Sequence, residues 1–117
     1  MVVPKKASRF GGSASHQKAI MRNLAISLFE SGRITTTLAK GKYLRGFVDK
    51  LITVAKKGDL ASRRTCLRLV NNSDTVKKLF NEIGPAMYDR TSGFTRIIKY
   101  KNRLGDGAEL VIVELLK

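Results

Sequence analysis

Between Leu38 and Lys57 the apolar residues Leu44, Phe47, Val48, Leu51, Ile52 and Ala55 fall at i, i+3, i+4, i+7, i+8 and i+11, the spacing of one face of an α-helix. A stripe three turns long is costly to leave in water, so the chain is committed to a packed core with this helix at its centre. With 117 residues and 43% hydrophobic composition, there is material for one modest core and one domain.

The remaining segments supply partners for that stripe. Ile20, Met21, Leu24, Ala25, Leu28 and Phe29 form a second helical stripe, with Ser13 or Ser15 as candidate N-caps and Gly32 as the stop. Lys18 and Arg22 flank this stripe, and His16, Asn23, Ser27 and Glu30 lie toward solvent. Arg33 to Thr37 is rich in β-branched residues and reads as a strand or extended link, with Thr36 or Thr37 capping the central helix. Gly58 ends that helix and Asp59 caps the next, in which Leu60, Leu67 and Val70 are expected to face inward and Arg64 and Arg68 outward. Asn71, Asn72 and Ser73 make a turn. A fourth helix from Asp74 to Ile83 buries Val76, Leu79, Phe80 and Ile83, and Gly84 followed by Pro85 is expected to stop it.

The pattern then changes. Phe94 to Lys101 and Glu109 to Leu116 are β-rich and joined through Gly105, Asp106 and Gly107, which predicts an antiparallel hairpin with a long basic loop and places Phe94 and Tyr100 in the core. The expected fold class is therefore α+β: about four helices on a small mixed or antiparallel sheet of about three strands. Residues 1–13 contain Pro4, Gly11 and Gly12 and show no apolar periodicity, so they read as an extended basic arm ahead of a single domain spanning 14–117.

Charge narrows the function. There are 23 Lys plus Arg against 9 Asp plus Glu, a formal net charge of +14. Residues 1–58 hold twelve of these cations, with Glu30 and Asp49 as their sole acids. A solubilising surface intersperses both signs. A nearly acid-free half-chain points instead to a polyanion as partner. A spanning helix needs roughly 18–20 apolar residues, and the longest apolar run here is Leu110 to Val113. Lys5, Lys6 and Arg9 lead into Gly and Ser, unlike a signal segment. With Cys66 as the single cysteine, a reducing, cytoplasmic location is expected and Cys66 reads as a small core residue.

The material for catalysis is thin. His16 is the single histidine and has no acid near it in sequence; no Cys and His set has zinc spacing, and Gly11 and Gly12 lack the rest of a phosphate loop. No enzyme activity, cofactor, metal or small-molecule substrate is expected. Phosphate recognition needs only cations and hydroxyl or backbone donors in a fixed array. Lys5, Lys6, Arg9, Lys18 and Arg22 form one such group; Arg33, Thr35, Thr36, Thr37, Lys40, Lys42 and Arg45 form another. Lys40, Lys42 and Arg45 crowd the start of the central helix, where the helix dipole favours anions, so a phosphate is the natural compensation. RNA is favoured over DNA, because a glycine-bearing cationic arm suits irregular RNA grooves and the third helix lacks base-reading residues at its start. A duplex-DNA protein and an RNA-processing enzyme using His16 stay open as rivals.

The string Ser15, His16, Gln17, Lys18, then Arg22, Asn23, Leu24, then Arg33 to Thr37 with Lys40, Lys42, Leu44 and Arg45, resembles the bacterial ribosomal protein family numbered seventeen in the large subunit. Leu79 to Pro85, Gly93 to Lys99 and Gly105 to Ala108 resemble the second half of the same family, and the likeness runs from about residue 9 onward. The chain departs from that family in its first eight residues, at Gly41 where Ala is usual, and at Ser92 where Gly is usual. The resemblance implies a structural protein that binds large-subunit ribosomal RNA near the exit of the nascent-chain tunnel, beside neighbouring large-subunit ribosomal proteins, with no membrane partner. It implies RNA contacts for Lys5, Lys6, Arg9, His16, Lys18, Arg22, Asn23, Arg33, Thr36, Thr37, Lys40, Lys42, Arg45 and Arg96.

Overall fold

The computed structural model describes residues 14–91 and 93–116, with side chains from His16 onward. The expected arm, with Lys5, Lys6, Arg9 and the candidate cap Ser13, lies outside the described residues, as do Ser92 and Lys117. The elements follow in the order α1 (Ala14–Ser31), β1 (Arg33–Thr37), α2 (Leu38–Lys57), α3 (Leu60–Val70), α4 (Ser73–Lys78), β2 (Thr95–Asn102) and β3 (Glu109–Leu115). After α4 the helix widens into a π-helical segment (Leu79–Ile83) and closes with one more turn (Gly84–Ala86). The fold is α+β: four helices pack against a three-stranded antiparallel sheet of order β1-β3-β2.

The two stripes read from the sequence meet as expected. Met21, Ala25, Leu28 and Phe29 from α1 join Leu44, Val48, Leu51, Ile52 and Ala55 from α2 in the core, which the sheet closes with Phe94, Val111 and Val113. Gly32 ends α1 at φ 86°, a left-handed conformation that only glycine adopts without strain, and its carbonyl accepts a bond from the Leu115 amide at 2.9 Å. That bond places the end of α1 at the end of β3.

Helix α2 then runs back along the sheet, antiparallel to β1. Its first turns lie at the Thr36 and Val111 end, where a Cβ on Gly41 would stand 2.9 Å from Val111 Cγ2 and 3.6 Å from Thr36 Cγ2. Two turns later Asp49 faces Phe94 and Thr95 at the opposite end. Gly41 is therefore a close-approach residue: with nothing larger than hydrogen, the cation-rich start of α2 lies directly on β3.

Three sequence expectations are corrected. In α3 the buried residues are Ser62, Cys66 and Val70, at i, i+4 and i+8. Leu60 and Leu67 face outward, 64% and 43% exposed. The reason is proximity: Cys66 Sγ comes within 3.7 Å of the Leu51 carbonyl, a spacing between α2 and α3 that admits small side chains and leaves no room for leucine. The buried thiol is pushed up to about 11 by desolvation.

Second, Gly84 and Pro85 do not stop the helix. Proline has no N–H to give, and its ring clashes with the carbonyl four residues back in a regular helix. Just before Pro85 the Gly84 amide reaches five residues back to the Leu79 carbonyl, and this wider turn carries the helix on to Ala86.

Third, Phe94 is fully buried but Tyr100 is 54% exposed. The β2–β3 register is interrupted between Lys99 and Lys101, so Tyr100 sits at an irregularity rather than in the inward row.

Local chemistry accounts for the remaining joints. Asp59 Oδ1 accepts the Ser62 amide at 2.8 Å and caps α3, while Asn72 Oδ1 accepts the Thr75 amide at 3.0 Å and caps α4. Thr37 occupies the cap position of α2, but its side chain makes no capping bond.

Candidate nucleic-acid interface

Strand alternation sorts the β1 candidates into two sets. Ile34 and Thr36 pair with Val113 and Val111, whose side chains are buried on the helix side of the sheet. Arg33, Thr35 and Thr37 pair with Glu114, Ile112 and Leu110 and share the opposite face. Thr36 is half-buried toward α2, a less accessible position than the sequence implies, whereas Arg33 and Thr35 are exposed.

The start of α2 gathers the second set. Lys42 and Arg45 are exposed and Lys40 is half-buried; no acidic residue lies in the first turn and no side chain caps it. The last turn, by contrast, carries Lys56 and Lys57, where cations complement the helix dipole. Lys40 and Lys42 at the start oppose the dipole and have no acid in the first turn to offset them, while Arg45 has Asp49 one turn further on. Register brings one more cation to this end: Thr37 pairs with Leu110, and Leu110 pairs with Lys101. Lys101 was not among the sequence candidates, because strand register is a long-range property and no local spacing encodes it.

On α1, His16, Lys18 and Asn23 are exposed. Arg22 is tied down, its Nε donating to the Leu69 carbonyl at 3.2 Å near the end of α3. Part of its role is therefore to satisfy a helix C-terminus. Lys78 does similar work, its Nζ donating to the Glu30 carbonyl at 3.3 Å, and Lys56 Nζ donates to the Arg90 carbonyl while lying 5.1 Å from the centre of the Phe94 ring.

Ion pairing separates the basic regions. The β2–β3 hairpin holds three side-chain ion pairs: Arg96 with Glu114 at 2.7 Å, Lys99 with Glu109 at 3.8 Å, and Arg103 with Asp106 at 2.5 Å. Arg96, a sequence candidate, is thus compensated, and Glu114 stands between it and Arg33 in one row across the sheet. Of the two acids of the first half-chain, Asp49 interacts with Arg45 alone among the candidate cations. Glu30 is exposed beyond the end of the α1 stripe. Asp49 turns toward the sheet, where burial raises its pKa and the Phe94 amide, Arg45 and Thr95 only partly offset that rise.

Among the described residues no group of three or more His, Cys, Asp or Glu is placed to hold a metal ion. No described helix is long and apolar enough to cross a membrane.

The fold and its charge define a small α+β module that presents exposed cations, Lys18, Arg33, Lys42 and Arg45, along the α1–β1–α2 segment. Residues 20–116 match the family model described as Ribosomal protein L17, and the chain belongs to that family. It is a family of structural proteins of the large ribosomal subunit, components of a ribonucleoprotein that works in translation, and not a family of enzymes.

Proposed function

We propose that this chain binds large-subunit ribosomal RNA near the polypeptide exit tunnel and holds RNA segments together, beside neighbouring ribosomal proteins, in cytoplasmic ribosomes. The observation that carries the reading is the contrast in pairing: the first turn of α2 carries Lys40 with no acid beside it and Lys42 follows directly, while Arg96, Lys99 and Arg103 of the hairpin each form a salt bridge. Unpaired cations on a rigid frame gain most from a polyphosphate, because counterion release drives association and no internal pair has to break.

The contact residues we assign are Lys18, Asn23, Arg33, Thr37, Lys40, Lys42 and Arg45, with His16 at the start of α1. Lys5, Lys6 and Arg9 extend the surface if the first thirteen residues act as an RNA-penetrating arm. Arg22, Thr36 and Arg96 support the surface more than they line it, given their internal bonds and burial.

The test is a salt titration of the full chain with large-subunit rRNA fragments and with duplex DNA of equal length. The log of the binding constant is expected to fall linearly with log salt, by about 0.7–0.9 per neutralised phosphate, with rRNA preferred. A flat response, or equal affinity for the DNA, overturns the reading. Co-sedimentation of the chain with large subunits through a high-salt gradient is the companion expectation.

A further inference from the structure

Helix α3 shows two leucines to solvent that the core does not use. Leu60 and Leu67, seven residues apart and so on one face, line a groove of about 330 Å³ whose far wall is Val76 of α4. Its rim is cationic, formed by Arg63, Arg64 and Lys77. Arg63 is held in place, its guanidinium 5.3 Å from the centre of the Phe80 ring. The one acid at the head of α3, Asp59, is occupied in capping Ser62.

An apolar floor inside a polar rim is the usual anatomy of a contact surface. Two leucines on one short helix keep 64% and 43% of their surface in water, and burying that surface in a partner is favourable by the ordinary hydrophobic effect. We infer that this groove is a docking site for a helical segment of another protein, with an apolar ridge flanked by Asp or Glu.

The chemistry of the floor selects against nucleic acid. Leucine and valine offer neither a hydrogen-bond donor nor an aromatic face, so an RNA strand would find cations at the rim and nothing to read or stack on beneath them. Concavity selects against a lipid surface, which would be met by a protruding apolar face. A groove between two helices receives the side-chain ridge of a third. The rim supplies the charge complement: Arg63, Arg64 and Lys77 face carboxylates on either side of that ridge. The site lies on α3 and α4, away from the start of α2, and does not depend on the RNA contacts proposed above.

The experiment places a photo-crosslinker in the groove of the full chain in cells, as Leu67→p-benzoylphenylalanine, and sequences what is joined to it. The expected product is one defined protein segment containing apolar residues and at least two carboxylates, lost when Arg64→Glu is added. Crosslinks into rRNA or lipid, crosslinks indifferent to Arg64→Glu, or none at all overturn the proposal. As an independent arm, a synthetic peptide of the crosslinked segment is titrated against the purified chain. Leu60→Ser with Leu67→Ser is expected to weaken its binding at least tenfold while leaving rRNA affinity unchanged and lowering the thermal unfolding midpoint only modestly, because neither leucine is fully buried. Unchanged peptide affinity in that double variant also overturns the proposal. Loss of rRNA affinity there would instead count against our placement of the RNA surface.

Discussion

The α1–β1–α2 segment and the β2–β3 hairpin are both rich in Lys and Arg, and they treat that charge in opposite ways. In the hairpin, Arg96, Lys99 and Arg103 each meet an acid. In the helical segment, Lys40, Lys42 and Arg45 stand at a helix start without acids in the first turn, and Asp49 is turned toward the sheet. Composition counts these cations alike. Their partners decide that one set stabilises a hairpin locally while the other retains its full field for an external anion.

The strongest way to break this comparison is to remove charge from each side in turn. Lys40→Gln with Lys42→Gln and Arg45→Gln is expected to lower rRNA affinity about a hundredfold at moderate salt and to make the log-log salt slope shallower by about 2 to 3, at about 0.7–0.9 for each of three phosphates. Lys99→Gln with Arg103→Gln, measured by the same titration, is expected to change affinity several-fold at most. Equal losses from the two variants would show that pairing within the hairpin does not set its cations apart.

Packing offers the next handle, because the cationic start of α2 is held on the sheet by Gly41. Gly41→Val drives its methyls into Val111 and Val113, and overpacking of this kind costs roughly 1–2 kcal/mol, read by denaturant unfolding. Gly41→Ala is expected to be near neutral. Its Cβ would stand 2.9 Å from Val111 Cγ2 and 3.3 Å from Val113 Cγ2, so the sheet or α2 must shift, a cost that cancels the up to about 1 kcal/mol of helix propensity alanine recovers. A large loss in Gly41→Ala would mean that β3 cannot relax there.

The smallest expected effect tests the compensated side alone. Arg103 and then the Ala108 amide hold the Asp106 carboxyl well below the usual carboxylate range. A depressed carboxyl contributes order that is complete above its unperturbed pKa of about 3.9 and is lost as pH falls toward the depressed value. Protection factors at Ala108 and Gly107, with the intrinsic exchange rate divided out, should therefore fall on acidification below about pH 4, and Asp106→Asn should abolish that pH dependence of protection. No such change is expected at the start of α2, where no acid lies in the first turn.

Much of the architecture was legible in the residues. The stripes of α1 and α2, the stop at Gly32, the cap at Asp59 and the β-rich run from Glu109 to Leu116 all express local periodicity or local hydrogen bonding, and each lies where its pattern implies. The orientation of α3 was not legible. Leu60 and Leu67 are two of the three leucines of their helix, and hydrophobicity alone turns them inward; the close approach of Cys66 to the Leu51 carbonyl turns them out. The continuation past Pro85 was also hidden, since it depends on a widened turn that no residue type specifies.

For the candidate surface the same division holds. The amino acids by themselves determined that the first half of the chain is a cation with few acids and that two long helices would present it, because charge and helical period are properties of neighbours in sequence. Only the tertiary structure decided that Arg96 is neutralised across the sheet, that Thr36 turns under α2, and that Lys101 reaches the end of the sheet where α2 begins. Those facts depend on strand register and on the distance between packed elements, and both are fixed by contacts between residues far apart along the chain.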